Sequence, residues 1–112
     1  MKAVSRILLL DDRGEKFFGE GPARLLRGVE KTGSLRSAAQ QMGMAYTKAL
    51  KLMKNAETAL GFSLISRVVG GKSGGGSTLT EEGRNFLQQY ELYREECRRE
   101  NERIYQKYFP GK

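Results

Sequence analysis

SLRSAAQQMGMAYTKALKLM, residues 34–53, decides the fold. Ser34 is a good N-cap for a short helix over Leu35 to Met42, with Leu35, Ala38, Ala39 and Met42 on one face at spacings of three and four. Gly43 ends that helix and permits a tight turn. A longer helix then runs from about Ala45 to Leu60, with Ala49, Leu52, Met53, Ala56 and Leu60 turned inward and Gly61 closing it. Ala39 is small where the second helix crosses the first. This is the spacing of a helix-turn-helix, although an ordinary pair of core helices would also satisfy it. The outer face of the second helix separates the two readings, because it shows Thr47, Lys48, Lys51 and Asn55 with no acid beside them.

Upstream, Gly21-Pro22 opens a helix, with proline at its first position, where a missing N–H costs nothing. Leu25, Leu26 and Val29 form its buried stripe and Gly33 ends it. Before it, Val4 to Leu10 and Lys16-Phe17-Phe18 read as a hairpin around the turn Asp12-Arg13-Gly14. Downstream, Phe62 to Val69 suits a strand and Ser77 to Leu79 a second one, joined by five glycines within residues 70–76. Thr80 caps a long helix with Glu81 and Glu82 in its first turn, reaching about Tyr108, roughly 42 Å at 1.5 Å per residue. The fold expected is mainly α with small β-hairpins: a winged helix-turn-helix over residues 1–79 and a long C-terminal helix over 80–109, in one structural unit.

The 112 residues fit one domain, and 20 Lys and Arg against 13 Asp and Glu leave a net charge of +7. Polyanions, nucleic acid first, are the partners such a charge favours. The surplus is uneven. Residues 45–76 carry Lys48, Lys51, Lys54, Arg67 and Lys72 against Glu57 alone, whereas residues 77–112 carry seven charges of each sign. With no His and one Cys, neither a zinc site, a disulfide framework nor His-based catalysis can be written, so no metal, no cofactor and no enzyme activity is expected. No apolar stretch approaches the ~20 residues of a membrane span. A soluble protein of a reducing, cytoplasmic compartment is expected.

The start of the second helix offers Ala45, Tyr46, Thr47 and Lys48 to a DNA major groove. Tyr46 and Thr47 could touch a base edge or a thymine methyl; Lys48 and Lys51 could reach phosphates or a guanine edge. Ser34, Arg36 and Asn55 complete this expected DNA-binding face. The alternative for each lysine is a solvated surface charge, and for Tyr46 a half-buried packing ring. The string GGKS at 70–73 tests a Walker A nucleotide-binding loop and fails: Ser66 stands where the motif needs glycine, and glycines follow Ser73 where a helix is required. A wing fits better, with Arg67, Lys72, Ser73 and Gly74 near phosphates; a plain linker would have the same composition. In the last helix Phe86, Tyr90, Tyr93, Cys97, Ile104 and Tyr108 recur at spacings near 3.5, broken around Glu100 and Asn101. They form the expected homodimer seam, with Cys97 a small buried hydrophobe; Phe86, Leu87 and Tyr90 could pack against their own domain, whereas the distal half projects beyond it and calls for a second copy of the helix as cover. Flanking pairs are Glu95 with Arg99 and Glu100 with Arg103.

FGEGPARLL (18–26), TGSLRSAAQQMGMAYTKAL (32–50) and above all GGKSGGGSTLTEEG (70–83) resemble the DNA-binding domain of molybdate-responsive regulators of the ModE type, relatives of LysR-type winged helix-turn-helix domains. The resemblance implies a dimer formed through the long helix, recognition helices in successive major grooves, and wings along flanking backbone or minor groove. By position, Ala45, Tyr46, Thr47, Lys48 and Lys51 would face the groove and Lys72 with its glycines would form the wing. That family's oxyanion-binding domains follow the long helix, whereas this sequence ends at Lys112, so molybdate binding is not expected. The function expected is sequence-specific duplex DNA binding by a dimeric transcription regulator. The alternative is a winged-helix protein-interaction or dimerisation module that leaves the DNA face unused.

Overall fold

A computed structural model describes residues 1–68 and 76–111. Strands β1 (Leu9–Leu10) and β2 (Lys16–Phe18) form an antiparallel hairpin, followed by helices α1 (Glu20–Thr32), α2 (Leu35–Gln41) and α3 (Tyr46–Leu60). A second antiparallel pair, β3 (Ile65–Val68) and β4 (Gly76–Leu79), leads into the long helix α4 (Glu81–Tyr108). The winged helix-turn-helix architecture expected from the sequence is present. The glycine-rich tip, including Val69, Lys72, Ser73 and Gly74, lies outside the described residues.

Helix α1 starts two residues earlier than Gly21-Pro22 suggests. Gly19 is its N-cap and Pro22 its third residue. The position still suits proline, because the first N–H to bond back along the helix is that of Ala23, to Gly19 O at 3.1 Å. The turn into α2 is tied twice: the Thr32 hydroxyl donates to Gly28 O at 2.7 Å, and Ser34 Oγ accepts the N–H of Ser37 at 3.1 Å. Helices α1 and α2 touch where both lack bulk. A side-chain carbon on Gly28 would come within 2.6 Å of Ala38 Cβ.

Helix α2 ends at Gln41, one residue before the expected Met42, and the chain reverses at Gly43 with φ +66°. Met44 N–H returns to Ala39 O at 2.9 Å, which holds the turn against the helix it leaves. Helix α3 has Ala45 as its N-cap, with no side-chain hydrogen bond there. Ala49, Met53 and Ala56 are its buried face.

The strand expected from Phe62 begins only at Ile65. The carboxylate of Glu57 takes the N–H of Leu64 at 2.7 Å and of Ile65 at 3.4 Å, and Leu64 O accepts the N–H of Thr80 at 3.0 Å. The backbone of Leu64 is therefore committed before the ladder starts, and its side chain is fully buried. Strand β4 docks on the α1–α2 turn, with Ser77 N–H donating to Gly33 O at 2.8 Å. Thr80 then caps α4. Its hydroxyl accepts the N–H of Gly83 at 2.9 Å and donates to Ser63 O at 2.6 Å.

The first hairpin is shorter than expected. Its strand covers Leu9 and Leu10 alone, because β2 offers only three residues to pair with. Residues 1–8 instead are tied to α4 by two tyrosines: Tyr90 Oη donates to Ile7 O at 2.8 Å and Tyr105 Oη to Met1 O at 2.9 Å. The core centres on Phe18, Leu25, Leu26, Val29, Leu64 and Leu87, all fully buried. Each such side chain stabilises the fold by about 1.5–3 kcal/mol relative to exposure. Phe18 meets the edges of Phe86 and Tyr90 at centroid distances of 4.8 and 5.0 Å.

Candidate nucleic-acid interface

The outward face of α3 follows from its burial pattern. With Ala49, Met53 and Ala56 fixed inward, a period of 3.6 turns Thr47, Lys48, Lys51, Lys54 and Asn55 to solvent, and all five are exposed. Ala45 is exposed at the N-cap, where the first N–H groups of the helix point outward with no acid in the first turn. That end of the helix carries the positive pole of the dipole.

Across the turn, Arg36 of α2 places its guanidinium carbon 4.1 Å from the centroid of the Tyr46 ring. Tyr46 is half-buried and Arg36 exposed, so the two form a joint surface at the start of α3. On the other side, Arg67 of β3 and Ser77 of β4 line a groove with Lys51, Lys54, Asn55 and Glu57, together with Leu35, Tyr46, Leu50, Met53 and Ile65. Arg67 is thus brought to the same face as the α3 lysines. Ser34 is half-buried, as Tyr46 is, and its hydroxyl oxygen accepts the cap N–H of Ser37, so its first role is to hold α2.

The charge is segregated. Among the described residues every ion pair uses side chains of α1 and α4 alone: Arg27 with Glu30 and Glu91, Arg84 with Glu30, Arg94 with Glu20, Arg98 with Glu95, and Arg103 with Glu100. Glu95 therefore pairs with Arg98 and not with Arg99 as the spacing suggests. No described ion pair engages Arg36, Lys48, Lys51, Lys54 or Arg67. The one acid in this region, Glu57, has its carboxylate on backbone N–H groups. An anion approaching the start of α3 therefore meets lysines that no described ion pair engages, while the acids lie toward its other end, where Glu57 lines the groove and Asp11, Asp12 and Glu15 share a pocket with Asn55.

The sequence pattern alone does not single out Lys54 and Leu50 for this face. The signal for Lys54 is nevertheless present, since it lies one helical turn beyond Lys51. Leu50 is 41% exposed in the middle of the face.

On α4 the expected seam divides. Tyr90 is buried and Phe86 half-buried against the chain's own core, both meeting Phe18 edge-to-face. Tyr93, Ile104 and Tyr108 are exposed and Cys97 half-buried in the single chain. Tyr105, which the seam passes over, is buried instead through its bond to the N-terminal segment.

The family model for bacterial regulatory helix-turn-helix proteins of the lysR family matches residues 23–84, from α1 to the first turn of α4. The chain belongs to the lysR family. This lysR-family chain is 33% identical over 90 residues to the transcriptional regulator ModE of Yersinia pestis, covering 79% of this chain and 34% of that protein. It is 32% identical over 90 residues to the DNA-binding transcriptional dual regulator ModE of Escherichia coli strain K12, with the same coverage. It is 36% identical over 76 residues to the molybdenum transport protein ModE of Herbaspirillum seropedicae, covering 68% of this chain and 26% of that one. The chain thus spans about a quarter to a third of the length of these curated relatives. Its fold is similar to the DNA-binding domain of CbnR, crystallised in complex with DNA, with a TM-score of 0.60 and 23% identity over 75% of this chain and 91% of that one.

Proposed function

We infer that this lysR-family chain binds double-stranded DNA as a dimeric transcription regulator, with the start of α3 in the major groove. The observation that carries this reading is the segregation of charge: Arg36, Lys48, Lys51, Lys54 and Arg67 lie on one face without a described acidic partner, while the ion pairs hold α1 and α4. A groove about 12 Å wide admits a helix of this diameter, and the exposed Ala45, Thr47 and Lys48 stand at its leading end. Lysines further along the helix reach phosphates, which fix position without reading sequence. Arg67 stands at the base of the wing, and the tip residues Lys72, Ser73 and Gly74 would extend along the flanking backbone or minor groove. The dimer forms along α4 through Tyr93, Cys97, Ile104 and Tyr108, and places the two recognition helices about 10 base pairs or a multiple apart.

A mobility-shift titration with random-sequence duplex at low salt tests the first part. The wild-type protein shifts the duplex, and the variant carrying K48E and K51E does not. A wild-type protein that leaves the duplex unshifted ends this reading. Selection of bound sequences from a random pool tests the second, since two-fold symmetry in the selected sites reports a dimer.

A further inference from the structure

Arg36 and Tyr46 come from different helices, ten residues apart, and meet across the turn between α2 and α3. Arg36 is the second residue of α2 and Tyr46 the first residue of α3. At 4.1 Å from the ring centroid the guanidinium lies over the π face, and the attraction there is electrostatic. No described hydrogen bond or ion pair uses the Arg36 N–H groups, so the planar fork keeps its donors while its face is held. Tyr46 is half-buried and its ring also lines the groove beside Leu50. One face of the ring is therefore covered by Arg36 while the ring also borders the groove.

Resting on the duplex-binding reading above, we propose that Arg36 and Tyr46 act as one specificity unit, in which Arg36 bonds a backbone phosphate and holds the Tyr46 ring against a base pair in the major groove. Arg36 is then a positioning residue for a reading made by Tyr46. The phosphate is the natural acceptor for the free fork, because a guanidinium donates two parallel bonds to phosphate oxygens. The Tyr46 hydroxyl and ring edge meet a base edge or a thymine methyl. A phosphate contact, ordinarily indifferent to sequence, here becomes a condition for sequence reading, because losing it releases the ring.

The test combines selection from a random duplex pool with affinity measurements on the preferred site and on random duplex, for wild type, R36Q, R36K, Y46L and the double variant R36Q/Y46L. Arg36 is exposed, so R36Q does not threaten the fold. The proposal predicts that Y46L flattens the preference at one base-pair position in each half-site, and that R36Q flattens the same position although it leaves Tyr46 in place. It also predicts that each single change weakens the preferred site on the order of tenfold, and that the double variant is weakened by much less than the product of the two. R36K, which keeps the charge, restores affinity for random duplex without restoring the full preference. If R36Q weakens all sequences by one common factor and the preference at the Tyr46 position survives, or if the two effects multiply, the unit does not exist. Those results leave duplex binding intact, whereas failure of the wild-type protein to bind any duplex would remove the underlying reading instead.

Discussion

The carboxylate of Glu57, in the last turn of α3, accepts the backbone N–H of Leu64 at 2.7 Å, across the bend that separates α3 from β3. This bond fixes where β3 starts and so where Arg67 stands relative to Lys51 and Lys54. It also occupies the only acid between residues 45 and 76. Glu57→Ala leaves the N–H groups of Leu64 and Ile65 without their acceptor and should destabilise the domain by about 1–3 kcal/mol, while Glu57→Gln, which keeps one carbonyl oxygen, should cost less. Urea unfolding of the two variants checks the order.

Gly83 sits against the backbone of Leu64, with the position of a side-chain carbon within 2.9 Å of Leu64 Cα. Gly83→Ala should therefore push α4 off the start of β3 and lower stability by about 1–3 kcal/mol. Gly21 supplies the contrast, because nothing lies within 4 Å of the same position there. Gly21→Ala should be neutral or stabilise α1 by up to about 1 kcal/mol. Thermal unfolding of both variants decides whether space, and not helix propensity alone, selects glycine at position 83.

Glu91 on α4 accepts from Arg27 on α1, and the Arg27 hydrogen bond holds its carboxyl below the usual carboxylate range. A carboxyl whose pKa is lower folded than unfolded contributes stability above its unfolded value and loses it as pH falls through its folded value. The α1–α4 contact should therefore weaken below about pH 4.5, by no more than about 1 kcal/mol because both groups are partly solvated. Arg27→Gln should flatten that part of the stability–pH curve, as read by denaturant midpoints from neutral to acidic pH.

The exposed stripe Tyr93, Ile104 and Tyr108 on α4 should report on self-association. Ile104→Glu should shift sedimentation toward the monomer with little loss of fold, since Ile104 is 44% exposed, whereas Tyr90→Ala should unfold the domain because its ring packs on Phe18 and its hydroxyl holds Ile7.

The architecture was legible because its signals are local. Ser34 before Leu35, Gly43 and Gly61 at the helix ends, and Thr80 with Gly83 at the start of α4 each satisfy a backbone need within four residues, and periodicity gives the buried faces. The winged helix-turn-helix follows from those pieces. The misplacements have the opposite cause. Val4 to Leu8 has strand composition, yet its segment is held by the hydroxyls of Tyr90 and Tyr105, 83 and 104 residues away from the atoms they bind. The second of these bonds also withdraws Tyr105 from solvent. Glu57 is polar and its target lies seven residues on, beyond any capping pattern. Within the site, the α3 face could be read from period and charge, but the stacking of Arg36 on Tyr46 and the approach of Arg67 required the turn and the wing to be in place.

The most direct measurement of the central claim is the salt dependence of duplex binding by the wild-type protein and by a variant carrying Lys48→Gln, Lys51→Gln and Lys54→Gln. Each phosphate that the variant no longer neutralises should reduce the slope of log K against log salt by about 0.9. A markedly shallower slope with the fold unchanged is the result expected of a cationic helix face laid on DNA. An identical slope and affinity in the two proteins would place the nucleic acid elsewhere and contradict the account.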